Sequence, residues 1–564
     1  FEKKNLTEEF YKVYKNEIFE EIKNLNQLKF WLSQESKLNH FILVSLNRLL
    51  FIHFLDKKWD IFKNYDKRFW SLLAFLKHNS YKKIDNNQSF YKNVLKILFF
   101  EIFNKPKKDR DLEKLEKLWL KDIFYDLPYL NWWLFKESAF DKIGFEIEDD
   151  LIDSFIEKII DWFNFTIQED TPLEVKISVD PELLGYIFEN LIQEYDNKKD
   201  DNDNERSKWW IFYTPKIEVD FMCRQSIVNF LTKKWLNKEE LYKLVYRESW
   251  EKWEQLYWEF SKNDIEKIFN ELENLKIVDP TCGSWAFLVG MLQTILNIED
   301  TLKENHVKLY DELVLDFKIT NKKLFNRKKE LIKNTLYWVD VKTWAVEIAK
   351  LRLWLSMILD VDNDYFDNEE SKNSPLLPSF SFKIVVWDSL VNKIWDKLIP
   401  IDFTTSMDVD TKLRNKINKI IELKNDFYDN KIKDEKLIID AEKSVYISIL
   451  DWQNEIINKE LWYITDKLSN NQTDLFWDKE VWLFDNKKTE KEKKELHSKK
   501  YDNNNLKNQI IIHDNLPFAW SIDFAEVFSE NWGFDILIWN PPYVWYKKIW
   551  DPNEIIKNNA DYRK

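Results

Sequence analysis

The 564-residue sequence predicts an α/β fold with a parallel sheet, preceded by an all-helical region and interrupted by a charged helical insertion. Three observations support this class. Apolar residues recur three and four positions apart through residues 1–165, and short apolar runs alternate with helical patterns through 275–395. A lysine-rich stretch with helical periodicity fills 398–515. Apolar strands that alternate with helices are typical of a parallel sheet covered on both faces.

Composition limits the class of protein further. A share of 44% hydrophobic and 33% charged residues is typical of a globular chain, and this length corresponds to roughly three to five domains. The most apolar run, residues 40–55, contains Asn47 and Arg48, so we expect no membrane span and find no signal peptide. Two cysteines exclude a disulfide framework and are compatible with a reducing cytoplasm. The net charge of −14 argues against wholesale wrapping of nucleic acid but is compatible with a local basic cleft.

Each of three predicted strands is followed by an acidic residue. The runs and their acids are Lys276–Val278 with Asp279, Leu336–Val339 with Asp340, and Phe382–Val386 with Asp388. A fourth apolar run, Phe534–Ile538, returns the chain to the sheet after the insertion. Open parallel sheets bind ligands outside the carboxyl ends of their strands, so we expect a binding site at these acids. The six histidines are scattered, and we expect no metal site.

Two motifs follow predicted strands. Residues 540–543 read Asn-Pro-Pro-Tyr. The prolines make a stiff turn, the Asn and first Pro carbonyls form two acceptors suited to a planar NH₂ group, and the Tyr ring can stack on a base. Residues 278–288 read as strand, small-residue turn and helix, which lets the backbone approach a ligand. Taken alone, the first is also a common β-turn sequence and the second an ordinary turn between strand and helix.

Together, and in this order, the motifs resemble those of S-adenosylmethionine-dependent DNA adenine-N6 methyltransferases. Further matches are residues 212–215 (Phe-Tyr-Thr-Pro), 337–340 (Tyr-Trp-Val-Asp) and 387–390 (Trp-Asp-Ser-Leu). The resemblance extends over most of residues 130–560. Segments 130–135, 182–190 and 351–356 are similar to the fused nuclease–methylase enzymes called type IIG restriction–modification enzymes, and the helical N-terminal region resembles their connector domain.

The resemblance implies a Rossmann-like sheet and direct transfer of a methyl group from S-adenosylmethionine to N6 of a flipped adenine in double-stranded DNA, within a restriction–modification system of phage defence. The cofactor-binding residues it implies are Tyr213, Thr214, Pro215, Asp279, Cys282, Gly283, Ser284, Trp285, Ala286, Phe287, Asp340 and Asp388. Among them Thr214 would contact the methionine part, Asp340 the ribose hydroxyls and Asp388 the adenine amino group. The implied catalytic residues are Asn540, Pro541, Pro542 and Tyr543. Asn540 and Pro541 would hold the target amino group, with Tyr543 stacked on the flipped base.

Four domains are expected. They are a helical connector (1–165), the cofactor-binding half of the methyltransferase core (166–397), the charged helical insertion (398–515) and the return to the core with the catalytic motif (516–564). The chain ends soon after Tyr543, so we expect a fragment whose target-recognition domain lies beyond it. No nuclease cluster is evident in 1–165, and a nuclease, if the enzyme has one, is expected to precede Phe1.

Tryptophan stands where glycine is expected. The chain has 28 tryptophans and 5 glycines, whereas glycine normally makes up about 7% of a sequence. Trp285, Trp338, Trp387 and Trp539 occupy motif positions at which the resembling family has glycine. Either the chain is an inactive relic, or UGA codons that the source organism decodes as glycine were translated as tryptophan. A relic would not lose glycine specifically to tryptophan throughout the chain, so the second explanation is favoured. Trp354 is expected to be a genuine tryptophan.

Three alternative functions stay open. One is a phage-exclusion DNA methylase without a nuclease, and another is a protein-glutamine methyltransferase, which uses a similar Asn-Pro-Pro-Tyr motif on an amide. The third is a catalytically inactive DNA-binding scaffold. The large helical N-terminal region and the insertion favour the DNA-modifying enzymes.

Overall fold

A computed structural model describes residues 8–27, 35–59, 71–83, 89–117, 124–165, 214–246, 260–310, 321–361, 381–398, 411–470, 479–512 and 516–540, with short gaps inside several of these ranges. The chain divides into two compact units. Phe1–Trp387 together with Asp535–Lys564 forms the first unit, and Asp388–Phe534 forms the second. The four domain boundaries expected from the sequence stay predictions.

The N-terminal part of the first unit is helical. Its described helices are α1 (Glu20–Gln27), α2 (Glu35–Trp59), α3 (Leu72–Lys83), α4 (Leu112–Lys117), α5 (Ala139–Lys142) and α6 (Asp149–Phe155), with π-helical segments at Val13–Phe19, Tyr91–Leu95, Leu98–Phe103 and Ile156–Ile160 and 3-10 turns at Lys107–Asp109 and Trp133–Phe135. Side chains at helical spacing in α2, such as Ile42, Leu46 and Leu49, are buried in the core of the unit. This packed face stabilises a helix that would be marginal alone. Within the described ranges no helix is both long and apolar enough to cross a bilayer.

Four parallel strands form the sheet of the first unit. In chain order the described strands are β1 (Ile277–Asp279), β2 (Leu336–Asp340), β3 (Ile384–Val386), β4 (Lys393–Ile394), β5 (Lys397–Leu398) and β6 (Ile536–Leu537). The sheet order is β3-β2-β1-β6, and Val278 of β1 lies between Tyr337 of β2 and Leu537 of β6. These four strands lie within or beside the four predicted apolar runs. The predicted parallel sheet is therefore confirmed, as a small sheet in a mostly helical molecule.

Among the described residues of the first unit, six helices accompany the sheet. They are α7 (Lys216–Lys233), α8 (Lys238–Val245), α9 (Lys262–Asn274), α10 (Ala286–Tyr310), α11 (Asn321–Asn334) and α12 (Thr343–Ile358). Helix α7 packs along α10, and α12 packs on β2 and β3. A capping box begins α9, since the Ser261 hydroxyl accepts from the Asp264 N–H and the Asp264 carboxylate accepts from the Ser261 N–H. This cap satisfies backbone N–H groups at the start of α9, and β1 follows the end of the helix after two residues.

A buried ion pair joins two helices of the N-terminal part. The Arg48 guanidinium of α2 lies 3.1 Å from the Asp141 carboxylate of α5, and both side chains are almost fully buried. Its Nε also donates to the carbonyl of Leu134 at 2.6 Å. Rings of Phe41, Phe99 and Phe100 lie 5.2–5.8 Å from the guanidinium carbon. Charge pairing, a carbonyl acceptor and aromatic faces together offset the cost of burying the guanidinium.

His53 of α2 makes the N-terminal part sensitive to acid. Its ring is buried against Phe165, and neither ring nitrogen has a hydrogen-bond partner among the described residues. Burial, with a smaller contribution from Lys57, lowers the pKa of His53 to about 3 from an ordinary value of 6.5. The unfolded chain therefore binds a proton below about pH 6.5 that the folded chain rejects. The contribution of the neutral His53 ring to the free energy of unfolding is fully present above about pH 6.5. It falls by up to about 1.4 kcal/mol per pH unit down to about pH 3.

We expect His53→Leu to reduce the loss of stability between pH 7 and pH 5, measured by urea unfolding at each pH. His78→Leu, at an exposed position of α3, is the matched control and should leave the pH dependence unchanged. An unaltered acid slope in His53→Leu would show that other groups cause it.

The second unit is built from three long helices. Its described helices are α13 (Thr411–Tyr428), α14 (Glu435–Asn470), α15 (Lys479–Ile512), α16 (Trp520–Asp523) and α17 (Ala525–Glu530). α13 packs on α14 and α14 on α15, and Ile420 and Ile449 lie in the shared apolar core. Inside it, Lys424 lies 3.0 Å from Glu442, and the Tyr446 hydroxyl donates to Asp523 at 3.0 Å. The first contact joins α13 to α14, and the second joins the short helix α16 to α14.

Candidate functional site

Two carboxylates stand at the ends of the central strands. Asp279 is the last residue of β1 and Asp340 the last residue of β2. Because β1 and β2 are parallel neighbours, both side chains lie at the carboxyl edge of the sheet. The alternation of apolar strands with helices predicted this placement, and the structure brings the two acids to one edge.

Asp279 is buried, and one of its two carboxylate oxygens accepts a hydrogen bond. Its Oδ1 accepts from the Thr281 N–H at 3.0 Å, while its Oδ2 has no hydrogen-bond partner among the described residues. Burial raises the pKa of Asp279; with the opposing hydrogen bond from the Thr281 N–H and a smaller rise from the Asp340 charge, the pKa is about 8. The raised pKa favours the protonated carboxyl near neutral pH, and a cationic group beside Oδ2 would favour the ionised form. An unpaired acceptor atom in this position is suited to a cationic or hydrogen-bond-donating ligand.

Asp340 and the end of β3 are connected through the backbone. The Asp340 Oδ1 accepts from the Lys342 N–H at 2.7 Å, which forms a turn that leads into α12. The Asp340 carbonyl accepts from the Trp387 N–H at 2.8 Å. The ends of β2 and β3 are thus held side by side, and the following residue, Asp388, lies outside the described residues.

Asn540 lies at the same edge of the sheet. β6 pairs with β1, and the Ile538 N–H donates to the Val278 carbonyl at 3.1 Å, which carries the pairing beyond the end of β6. Two residues later, the Asn540 Nδ2 donates to the Thr214 hydroxyl at 3.0 Å. The sequence did not indicate this contact, because 326 positions separate the two residues and no local pattern links them.

The remaining predicted site residues are placed only in part. Ala286 and Phe287 begin α10, and the Phe287 carbonyl accepts from the Cys223 thiol at 3.4 Å. Ten predicted residues lie outside the described residues: Tyr213, Pro215, Cys282, Gly283, Ser284, Trp285, Asp388, Pro541, Pro542 and Tyr543. The roles that the resemblance implies for all of these residues stay predictions.

Tryptophans occur in contrasting environments. Trp338 in β2 and Trp354 in α12 are fully buried, and Trp387 and Trp539 are half-buried. Trp162 lies two residues beyond a helical segment and is 72% exposed. An indole that stays exposed contributes little hydrophobic stabilisation, whereas glycine is common just after a helix end. The position of Trp162 is therefore one at which glycine is expected.

The chain is an α/β protein in which Asp279, Asp340 and Asn540 lie at the carboxyl edge of a parallel sheet, the edge at which such sheets bind ligands. Residues 334–564 match the model of the family described as Eco57I restriction-modification methylase. Asp340 and the 540–543 motif lie within that match. The match supports a methyltransferase of a restriction–modification system.

Two known proteins are similar to the chain. Over 529 residues it is 25% identical to a protein of Methanocaldococcus jannaschii named as a type II restriction enzyme and methyltransferase. That match covers 89% of this chain and 41% of the relative, so the chain spans about two fifths of the relative's length. The structure of the type IIL restriction-modification enzyme MmeI in complex with DNA matches with a TM-score of 0.40 and 16% identity, over 70% of this chain and 41% of that chain. A TM-score of that size does not establish a common fold. The predicted resemblance to fused restriction–modification enzymes is confirmed by the first two matches.

Proposed function

We propose that the chain is the methyltransferase part of a fused restriction–modification enzyme and methylates N6 of adenine in double-stranded DNA. In this proposal the sheet is Rossmann-like, the target base is flipped, the methyl donor is S-adenosylmethionine, and the enzyme acts in the cytoplasm in defence against phage. The observation that carries the proposal is Asn540 at the same sheet edge as Asp279 and Asp340, inside the segment that matches the methylase family.

The described residues fit the proposed cofactor. S-adenosylmethionine carries an ammonium group, a sulfonium centre and ribose hydroxyls, all of which favour carboxylate partners. Asp279 offers a buried, unpaired Oδ2, and Asp340 ends the neighbouring strand where the ribose of a nucleotide-like ligand binds in such sheets. When bound, the cofactor supplies an electrophilic methyl group.

Asn540 would act on the reacting nitrogen. Its amide oxygen would accept a hydrogen bond from the adenine amino group, which favours the pyramidal, more nucleophilic nitrogen over the planar one. Asn540 would hold this nitrogen toward the methyl group that the cofactor would supply, and the proton that the nitrogen loses would pass to solvent. Positioning supplies much of the remaining acceleration. No enzyme nucleophile is required, and burial raises the pKa of the nearby Cys223 thiol, which keeps that thiol unreactive.

We further propose that Trp285, Trp338, Trp387 and Trp539 are glycine in the natural protein. The excess of tryptophan over glycine and the exposed indole of Trp162 after a helix end support this proposal. Trp462 in α14, which is 70% exposed, adds a second large ring without a packing role. A protein with glycine at the four motif positions is called the four-glycine variant below.

The proposal is tested by the transfer of labelled methyl groups from S-adenosylmethionine to mixed-sequence duplex DNA and, separately, to glutamine-containing peptides. We expect the four-glycine variant to label DNA at adenine N6. Adding Asn540→Ala should lower the rate by about 100-fold or more, since one transition-state acceptor is lost.

Asn274→Ala at the exposed end of α9 is the matched control and should not change the rate. Label found only in peptide would favour the protein-glutamine methyltransferase. Absence of cofactor binding in the four-glycine variant would favour the inactive scaffold.

A further inference from the structure

Thr214 contacts the catalytic motif directly. Its hydroxyl oxygen accepts from the Asn540 Nδ2 at 3.0 Å, and both side chains are half-buried. We propose that Thr214 is a positioning residue that orients the Asn540 amide for methyl transfer. This inference rests on the proposed function, and it gives Thr214 a role other than the cofactor contact that the resemblance implies.

The chemistry of an amide makes its orientation important. One end of the Asn540 side chain accepts hydrogen bonds and the other end donates them. The adenine amino group donates, so only the Oδ1 end can receive it. When the Thr214 hydroxyl accepts from Nδ2, the Oδ1 end of the Asn540 amide faces away from Thr214. With the amide reversed, a donor would face the amino group, and the hydrogen bond that assists transfer would be lost.

Both partners are attached to a rigid frame. Asn540 follows β6, which is paired with the central strand β1. Thr214 lies two residues before α7, and α7 is packed tightly on α10 at Gly290. A Cβ at Gly290 would stand 2.8 Å from Val219 Cγ1 and 3.0 Å from Cys223 Sγ, so this close approach requires glycine.

A second contact at the same place holds α7. The Cys223 thiol donates to the Phe287 carbonyl in the first turn of α10. The position of Thr214 is therefore determined by the α7–α10 contact, and the position of Asn540 by the sheet. The hydrogen bond between them connects the two, so that the amide is held before substrate binds.

A positioning role and a cofactor-binding role predict different kinetics. Loss of a cofactor contact raises the Kd for S-adenosylmethionine and leaves kcat at saturation unchanged. Loss of orientation lowers kcat and leaves the Kd unchanged. In the four-glycine variant we expect Thr214→Val, which keeps the shape and removes the hydroxyl, to lower kcat between about 10- and 100-fold.

Thr214→Ser, which keeps the hydroxyl, should restore kcat to within about threefold of the parent. Thr232→Val in α7 is the matched control, because its hydroxyl donates only to the Val228 carbonyl within the helix. It should change neither constant.

The outcomes separate the inference from the proposed function. A parent that methylates DNA and loses activity with Asn540→Ala, but keeps kcat with Thr214→Val, overturns the inference and leaves the function intact. A raised Kd with unchanged kcat in Thr214→Val assigns Thr214 to the cofactor and also overturns it. A parent without any DNA methylation overturns both.

Discussion

Joint replacement of Trp285, Trp338, Trp387 and Trp539 by glycine is expected to tighten S-adenosylmethionine binding by at least about 100-fold, equivalent to about 2.7 kcal/mol. Trp338 lies within β2, Trp387 directly follows β3 and Trp539 follows β6 by two residues, and the family that the motifs resemble has glycine at all four positions. An indole at such a position occupies space that glycine leaves open. Isothermal titration calorimetry on the chain as printed and on the four-glycine variant measures the difference.

Trp354→Gly is the matched control for this prediction. Trp354 is fully buried in α12 and is expected to be genuine, so its removal should cost about 3–5 kcal/mol of unfolding free energy. Trp338 is buried to the same extent. If position 338 is naturally glycine, Trp338→Gly should cost much less, because the surrounding core was shaped without the ring.

The codons of the source gene provide an independent test. UGA at the four positions and UGG at 354 would establish the glycine interpretation. UGG at all five positions, with equal destabilisation by Trp338→Gly and Trp354→Gly and no gain in cofactor binding, would contradict it and favour the inactive scaffold.

Asp141→Ala is expected to destabilise the first unit by about 3–5 kcal/mol. The reason is the Arg48 guanidinium, which is almost fully buried and lies 3.1 Å from the Asp141 carboxylate. Removal of that carboxylate leaves a buried positive charge without its counter-charge, and desolvation of the charge is no longer offset. Urea unfolding followed by circular dichroism measures the loss.

Two control variants distinguish the loss of charge pairing from the loss of packing. Glu17→Ala breaks the Lys158–Glu17 pair, whose side chains are each 46% exposed, and should cost less than about 1 kcal/mol. The double substitution Arg48→Met with Asp141→Leu removes both charges and should recover most of the stability lost in Asp141→Ala. If the double variant is as unstable as the single one, packing rather than charge explains the loss.

Much of the site was predictable because it depends on local order along the chain. Apolar runs followed by Asp279 and Asp340 indicated strands with acids at their carboxyl ends, and the structure has both residues there. The Asn-Pro-Pro-Tyr motif after the last strand indicated the family, and the matching segment, residues 334–564, includes it. Helical periodicity likewise indicated the helices of the N-terminal part, since an amphipathic helix must repeat its apolar residues.

The sequence by itself therefore determined the parallel sheet, its strands and the placement of Asp279 and Asp340 at the strand ends, because periodicity and motifs are properties of neighbouring residues. Only the tertiary structure decided which distant residues meet. The Thr214–Asn540 hydrogen bond, the burial that raises the pKa of Asp279, and the Arg48–Asp141 pair all join or surround residues far apart in the chain. Such contacts depend on how helices and strands pack, and local sequence does not encode packing at that range.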